Sequence, residues 1–408
     1  MKLPKGWKER QIGDLAIISG GIQKGPHRKA SLNPVRYLTV AHVQRNRVLV
    51  DDPRFFEVTA SELDRWRLEK GDVLIIEGNG SVDQVGRTAL FRGEIDNCVH
   101  QNHVIRVRPD IAQTSGEYLN SFMNSPLGQA VIQSQSNTTS GLRTLSVGRI
   151  REIAVPLPPL TEQRKIADIL STWDEALEKL DALIAVKERR KQALMQQLLT
   201  GRKRFPAFGK KAWTKVRMNQ VLERVFRPIK WSAGMALSLI SIRRRCGGLF
   251  RRPDLLGSEY KTQDLHDLKA GDFLVSKRQV AHGAWAMVTP EFAGGHVSKE
   301  YAIFVNIAPA KLHMPFFSCL AQTPRMIRLS RVASTGVHIE KLIFDPDIFL
   351  RESIRIPADL AEQRQIAAIL DTADQELTLL HTQRNALDQQ KRGLMQRLLT
   401  GKVRVKPN

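Results

Sequence analysis

The chain contains few cysteines and no long apolar run. Its three cysteines, Cys98, Cys246 and Cys319, are far apart and odd in number, which argues against a disulfide framework or a CxxC zinc module. No segment approaches the ~18–20 apolar residues of a membrane span, and the first residues lack the apolar core of a secretory signal. These absences predict a soluble, cytoplasmic protein with no membrane partner.

Acidic residues are also scarce relative to basic ones. The 408 residues include 63 Lys and Arg against 41 Asp and Glu, a formal net charge of +22. Hydrophobic residues make up 42% of the chain, enough to build cores, so this is not a disordered basic tail. Residues 206–356 alone hold 24 basic and 12 acidic side chains. A folded protein of this charge favours a polyanion as its partner.

Motifs that carry catalysis are missing. The Pro253-Asp254 pair and the 259–261 segment resemble a metal-dependent nuclease motif, but they lie too close together for two neighbouring strands. Cys98, His100 and His103 offer three possible metal ligands and no fourth at a recognised spacing. There is no Walker A sequence, no adenine-methyltransferase motif and no glycine-rich cofactor loop. The chain is therefore predicted to be non-catalytic, with no metal site and no bound cofactor.

An internal repeat organises the sequence. Residues 151–205 align without a gap with residues 351–405, and 23 of the 55 positions are identical. EQRKIADIL and LMQQLLTGRKR in the first copy return as EQRQIAAIL and LMQRLLTGKVR in the second. Such similarity indicates a tandem duplication.

Each repeat predicts one long helix. Apolar residues recur at alternating spacings of three and four over about five heptads, with no proline inside and Gly201 or Gly401 as a stop. Asp359 and Glu362 stand at capping-box spacing before the second helix. We predict that the helices pair antiparallel; parallel pairing or packing against another protein would use the same pattern.

The segments between the repeats predict mixed α/β domains with short strands at 37–40, 73–76, 104–107 and 301–305. The predicted fold class is α+β, with two mixed α/β domains separated by two long helices and a pseudo-twofold internal repeat. The predicted divisions are 1–158, 159–205, 206–356 and 357–408.

Basic and amide side chains in the variable segments are the candidate DNA contacts, because Arg, Lys, Asn and Gln bind phosphates and base edges. The candidates are Lys24, Arg28, Arg45, Arg47, Asn79, Ser81, Arg87, Ser140, Arg143, Arg243, Arg244, Arg245, Arg251, Lys277, Arg278, Gln279, His282, Ser334, Thr335 and His338.

The doubled EQ-x-x-I…LLTG pattern, preceded by PLPPLT in the first copy, resembles the conserved regions of type I restriction–modification specificity subunits. The resemblance covers the whole chain. It implies two target recognition domains that each read half of a split, asymmetric double-stranded DNA site in a prokaryotic cytoplasm. It places Ser140 and the loop from Ser334 to His338 near DNA. Residues 354–359, IRIPAD, depart from the family's usual Pro-Leu-Pro-Pro before the helix.

The resemblance also implies partners. Two methyltransferase subunits, which bring S-adenosylmethionine, would dock on the paired helices, and restriction subunits would cut DNA with ATP and Mg²⁺. The helices would fix the gap between the half-sites. The helix-spacer and docking positions are Glu162, Gln163, Ile166, Leu170, Leu177, Leu194, Leu198, Glu362, Gln363, Ile366, Leu370, Leu377, Leu394 and Leu398.

Two other classes of function stay open at this point. A coiled-coil adaptor for other proteins explains the helices but not the charge of residues 206–356. A self-contained restriction enzyme would need the missing catalytic motifs.

Overall fold

The computed structural model describes residues 3–25, 28, 34–79, 81, 84–139, 142–209, 211–260 and 264–406. It divides into two compact units. Unit 1 comprises Met1–Ala182 and His381–Asn408, and unit 2 comprises Leu183–Leu380. Each unit therefore contains one variable segment and one part of each repeat. The predicted divisions at residues 158, 205 and 356 stay a prediction.

Unit 1 is built on a four-stranded antiparallel sheet. Its strands follow the spatial order Ala16–Ser19, Val104–Pro109, Val73–Ile76 and Thr88–Leu90. The Val73–Ile76 strand is buried along its whole length, as its unbroken apolar sequence predicts. Helices Gly116–Asn124 and Pro126–Gln135 contribute Tyr118, Phe122 and Ile132 to the core over this sheet.

The remaining elements of unit 1 are short. The strands are Lys8–Gln11 with Ala154–Leu157; Val99–His100, Pro34–Leu38 and Phe55–Glu57; Asn137–Thr139, Leu142–Thr144 and Gly78–Asn79; and Val43–Gln44 with Arg47–Val48. The helices are Ile12–Leu15, Ala60–Trp66 and Val147–Arg151.

Unit 2 repeats this plan with a different sequence. Its four-stranded antiparallel sheet has the order Leu222–Val225, Tyr301–Asn306, Phe273–Ser276 and Trp285–Met287. Helices Met314–Ala321 and Pro324–Val332 take the places of the helix pair in unit 1. In both units the second helix begins with proline after a capping hydroxyl: Ser125 accepts from the Gly128 N–H, and Thr323 from the Met326 N–H.

Unit 2 also has short strands and helical turns. The paired strands are Trp213–Arg217 with Ser353–Pro357, Ala236–Leu237 with Leu255–Leu256, Ile240–Ile242 with Leu249–Arg251, Leu265–Asp267 with His296–Ser298, and Ser334–Thr335 with Ile343–Phe344. One further α-helix spans Pro346–Arg351, and 3₁₀ turns span Pro206–Phe208, Met218–Gln220, Gly257–Glu259, Val280–His282, Pro290–Phe292 and Ile339–Lys341.

The two repeats form the predicted long helices. The first long helix spans Leu160–Leu198 and the second Leu360–Leu399. Gly201 and Gly401 follow them with φ of 71° and 68°, a left-handed conformation that glycine adopts without strain. These glycines are the stop signals that the sequence predicted.

The long helices pair antiparallel within each unit, which confirms the prediction. In unit 1, Asp181 accepts from Arg384 at 3.0 Å and Asp174 pairs with Lys391. In unit 2, the matching pair is Lys191 with Asp374. Lys191 and Lys391 occupy equivalent seam positions, so each helix places an ammonium group against an aspartate of the other.

The predicted seam residues lie on the inner face of these pairs. Ile166, Leu170, Leu177 and Leu198 are buried, as are Ile366, Leu370 and Leu398, whereas Leu194, Leu377 and Leu394 are half-buried. Each helix begins in the core of one unit and ends in the core of the other. The fold class is therefore α+β, as predicted.

The Glu-Gln pair of each repeat fixes the start of its helix to the variable segment before it. In unit 1, Gln163 accepts from the Thr114 hydroxyl at 2.8 Å and donates to the Gln113 and Pro158 carbonyls. In unit 2, Gln363 accepts from the His313 N–H at 2.8 Å and donates to the Lys311 and Pro357 carbonyls.

The preceding glutamate joins the two repeats. Glu162 binds Arg404 at 2.8 Å and Glu362 binds Arg204 at 2.7 Å, and both carboxylates are almost fully buried. The capping box predicted from Asp359 and Glu362 is replaced by this contact: Asp359 accepts from the Ala361 N–H, while the Glu362 carboxylate turns to Arg204.

Candidate nucleic-acid interface

In unit 2 the fold brings three separate sequence segments to one surface. The Arg245 N–H donates to the His282 carbonyl at 2.7 Å, which joins the arginine cluster to the loop after the Phe273–Ser276 strand. The Phe344 N–H donates to the Lys277 carbonyl at 2.8 Å, which adds the Ser334–Phe344 hairpin to the same loop. We call this the unit 2 surface, and it contains ten of the predicted DNA contacts: Arg243, Arg244, Arg245, Lys277, Arg278, Gln279, His282, Ser334, Thr335 and His338.

A glutamate that the sequence did not single out lies within this surface. Glu340 accepts from Arg244 at 3.4 Å and lies 3.1 Å from the His282 Nε2. Arg244 also donates to the Gln279 side-chain carbonyl at 3.3 Å. Glu340 thus offsets part of the positive charge of this surface and contacts two side chains that could reach base edges.

The backbone presents the arginine cluster outward. Arg245 and Cys246 have φ of 58° and 54°, two consecutive non-glycine residues in the left-handed region. Such residues are uncommon because their side chains crowd the backbone there. The turn is held by backbone bonds to residues 282 and 283, and Arg243, Arg244 and Arg245 remain exposed.

Two arginines of the neighbouring hairpin are held by contacts within unit 2. Arg243 donates to the Leu249 carbonyl and lies 4.7 Å from the Phe250 ring centroid. Arg251 donates to the Ser238 hydroxyl and the Glu291 carbonyl. Both are exposed, so a phosphate could still reach them.

A cleft of about 1790 Å³ lies beside the unit 2 surface. It is lined by Met195 near the end of the first long helix, by Leu199 just beyond that end, and by Arg244 and Arg245. Arg245, Arg325 and Arg355 line it, are exposed, and have no side-chain partner among the described residues. Sequence reasoning missed Arg325 and Arg355, since nothing near them distinguishes them from ordinary surface charges.

Unit 1 has the corresponding surface. The Leu145 N–H donates to the Glu77 carbonyl at 2.7 Å, and Leu142–Thr144 pairs with Gly78–Asn79. These contacts bring the half-buried Arg143 to the loop that contains the exposed Ser81. Ser140 lies outside the described residues, and for Asn79 the backbone alone is described.

A second predicted contact region of unit 1 is a tight turn at 45–47. Asn46 has φ of 61° and accepts from Asn120 at 3.0 Å and Asn124 at 2.6 Å, while its own amide donates to Asp174 of the first long helix at 3.4 Å. Arg45 and Arg47 on either side are exposed. Sequence reasoning missed Asn46 as the residue that holds this turn, although asparagine tolerates the left-handed conformation best among non-glycine residues.

Two predicted DNA contacts are structural instead. Arg87 is 6% exposed and donates to the Val43 and Val40 carbonyls at 2.7 Å and to the Gln84 side chain at 2.8 Å. Arg28 forms an ion pair with Glu62 at 2.6 Å, which lowers the pKa of Glu62 to about 2. The prediction assigned both to DNA because burial cannot be read from an isolated arginine.

The remaining candidates differ in exposure. Lys24 is exposed without a side-chain partner among the described residues. Arg278 is exposed and paired with Glu300. Lys277 is half-buried, and burial together with the nearby Arg224 lowers the pKa of its ammonium group. A phosphate beside Lys277 would raise the pKa of this ammonium group, because it would stabilise the charged form.

Over the described ranges, no group of three or more His, Cys, Asp or Glu side chains could hold a metal ion. Cys98 and His100 are buried, the His100 Nδ1–H donates to the Val104 carbonyl at 2.6 Å, and His103 lies beside Glu77. No described helix is long and apolar enough to cross a membrane.

Comparison with known proteins points to one family. Residues 4–188 match the type I restriction modification DNA specificity domain. A putative type I restriction enzyme MjaX specificity subunit of Methanocaldococcus jannaschii is 22% identical, over 99% of this chain and 95% of that protein. The EcoKI specificity subunit of Escherichia coli K12 is 30% identical, over 40% of this chain and 36% of that protein.

Solved structures show the same fold. The specificity subunit of a type I system from M. genitalium superposes with a TM-score of 0.59 at 13% identity, covering 98% of both chains. A chain from a study of complex assembly and conformational transition of the type I R-M system also gives 0.59, at 16% identity over 99% of this chain and all of that one.

Proposed function

Since this chain belongs to the family of type I restriction–modification specificity subunits, we propose that each unit reads one half of a split, asymmetric DNA sequence through the surfaces described above. The observation that carries the proposal is the convergence of the arginine cluster, the 277–282 loop and the Ser334–Phe344 hairpin on one face of unit 2. Arginine, glutamine and histidine there supply the donors and acceptors needed for base edges.

Two recognition domains on one chain give selectivity that one domain lacks. Each correct bidentate base contact contributes about 1–3 kcal/mol of discrimination. Two domains multiply their selectivity only if the distance between their half-sites is fixed. We propose that the paired long helices fix that distance, because their apolar seam and their Asp–Lys pairs specify one register within each unit.

The chain acts as the non-catalytic recognition subunit of a larger assembly. We propose that it docks two methyltransferase subunits, which bind S-adenosylmethionine and methylate adenine, and through them restriction subunits that use ATP and Mg²⁺. The chain itself would bind no cofactor and would work in the prokaryotic cytoplasm, where its DNA lies. The exposed aliphatic side chains of the long helices, Leu183, Val186 and Leu379, supply apolar surface for such docking.

Methylation sequencing of single DNA molecules tests the proposal. A host expressing this chain with its methyltransferase subunit should carry methyladenine at one split motif, and that motif should disappear when the chain is deleted. Unchanged methylation, with the methyltransferase shown to be active through another specificity subunit, would contradict it and favour a protein adaptor. Modification or cleavage by the chain alone would indicate a self-contained enzyme.

A further inference from the structure

The hairpin of the unit 2 surface carries an unusual concentration of exposed apolar side chains. Val337 at its tip is fully exposed, and Ile339 and Ile343 are 39% and 49% exposed; Val332, which ends the preceding helix, is 58% exposed. Nothing in unit 2 covers Val337 among the described residues. A solvated loop would be expected to carry polar residues at such positions.

The backbone of the hairpin is shaped to present this valine. Gly336 has φ of 139°, which L side chains rarely adopt, and a Cβ there would lie 2.9 Å from the Lys341 carbonyl oxygen. The Ser334 hydroxyl donates to the Ser330 carbonyl at 2.7 Å and anchors the hairpin to the preceding helix. The turn therefore requires glycine immediately before Val337.

The residues around Val337 indicate which kind of binding partner contacts it. His338 and Lys341 follow it, and Arg244 lies at Glu340 of the same turn. An apolar tip within a basic rim matches a polyanion that also offers apolar groups. The major groove of DNA admits a two-stranded ribbon, and the apolar group displayed there is the C5-methyl of thymine.

We infer that Val337 is a specificity-determining residue that contacts the C5-methyl group of a thymine in the half-site read by unit 2. This inference rests on the proposed function and adds a base type to it. Hydrogen-bonding side chains nearby read donors and acceptors, whereas Val337 distinguishes thymine by the methyl group alone. Cytosine in its place would present an amino group and no methyl group.

Replacing thymine by deoxyuridine removes that methyl group and nothing else. Once methylation sequencing has given the motif, each thymine in both halves is replaced in turn, and the dissociation constant of the specificity–methyltransferase complex is measured by fluorescence anisotropy. At one position uracil should weaken binding by about fourfold, the effect of one buried methyl group. Val337→Ala should weaken binding to the thymine duplex similarly and should show no further loss with uracil.

Ile307→Ala is the matched control. Ile307 is 48% exposed and follows the Tyr301–Asn306 strand at the end away from Lys277. It should bind both duplexes like the unaltered chain. Melting temperatures should be unchanged for both variants, because both side chains are exposed.

Several outcomes would overturn the inference. They are a motif without thymine in the unit 2 half-site, equal binding of every uracil duplex, or a Val337→Ala complex that still responds to uracil. A loss caused by Val337→Ala but independent of the methyl group would indicate a wedge between base pairs instead. Absence of any sequence-specific binding by the unaltered complex would refute the proposed function itself. That outcome differs from all those that refute the role of Val337 alone.

Discussion

The carboxylate of Glu162, at the start of the first long helix, accepts two hydrogen bonds from the guanidinium of Arg404, beyond the end of the second, at 2.8 and 2.9 Å. Burial alone would raise the pKa of Glu162, but the donors Arg404, Trp7 and the Val405 N–H outweigh it and hold that pKa below its usual value. Glu362 and Arg204 repeat the contact in unit 2.

Replacing either partner of the Glu162–Arg404 pair should lower stability, but by unequal amounts. The Arg404 side chain is 42% exposed and that of Glu162 only 3%, so an orphaned arginine can hydrate and an orphaned glutamate cannot. Arg404→Ala should therefore lower the free energy of unfolding more than Glu162→Ala does. Calorimetry checks this, with the exposed Arg164→Ala as control. Equal losses in the two variants would contradict the prediction.

Acid should weaken unit 1 through His100. This side chain is fully buried, and burial lowers its pKa from 6.5 to about 4. Between those values the unfolded chain binds a proton that the folded one does not, so stability falls as pH falls from about 6.5 and levels off below 4. The contribution is about 3 kcal/mol at pH 4.

Melting curves from pH 7.5 to 4 would measure this effect. His100→Asn removes the titrating group and should flatten that part of the profile, whereas His103→Gln, at an exposed histidine, should keep it. A His100→Asn profile parallel to that of the unaltered chain would rule out His100 as the cause.

Substitutions at Arg47 and Arg87 should have different effects, one on DNA binding and the other on stability. Arg87→Ala leaves two backbone carbonyls and Gln84 without their donor and should destabilise unit 1 by about 2–4 kcal/mol. Arg47→Ala, at an exposed side chain, should leave the melting temperature unchanged and weaken DNA binding. Anisotropy titrations at two salt concentrations check this, because a lost phosphate contact also lowers the salt dependence.

Matched insertions test the spacer. The boundaries between the units fall after Ala182 in the first long helix and after Leu380 in the second. Inserting four residues at both points keeps every ion pair within each unit, and the methylated motif should reappear with a different gap. The same insertion in one helix should abolish methylation, since the Lys191–Asp374 and Asp174–Lys391 pairs cannot both keep their register. An unaltered motif in the double insertion would refute the spacer role.

The sequence predicted the helices well because their signals are periodic and local. The seam, the terminal glycines and the duplication follow from spacing alone, and the antiparallel pairing was one of few geometries open. The Val73–Ile76 and Tyr301–Asn306 strands were likewise predicted from short apolar runs. The burial and the partners of individual polar side chains could not be predicted in this way.

The reason is physical. Arg87 and Arg47 have the same chemistry, and only the three-dimensional fold decides which of them is buried. Glu162 and Glu362 carry the helix signature, yet their partners Arg404 and Arg204 lie in the other repeat, 242 and 158 residues away in sequence. Val337 lies in the loop that the resemblance places near DNA, but a single valine carries no signal for a base contact until its exposure is known.

The strand pair Lys8–Gln11 with Ala154–Leu157 opens and closes the first recognition domain, as Trp213–Arg217 with Ser353–Pro357 does the second. The chain therefore enters and leaves each recognition domain at neighbouring points, whatever the length of the domain. A gene conversion that replaced the sequence between the two strands of such a pair would change one half of the recognised DNA site. It would leave the long helices, their register and the surfaces for partner proteins unchanged. A prokaryotic lineage could thus change the DNA motif that it methylates in a single recombination event.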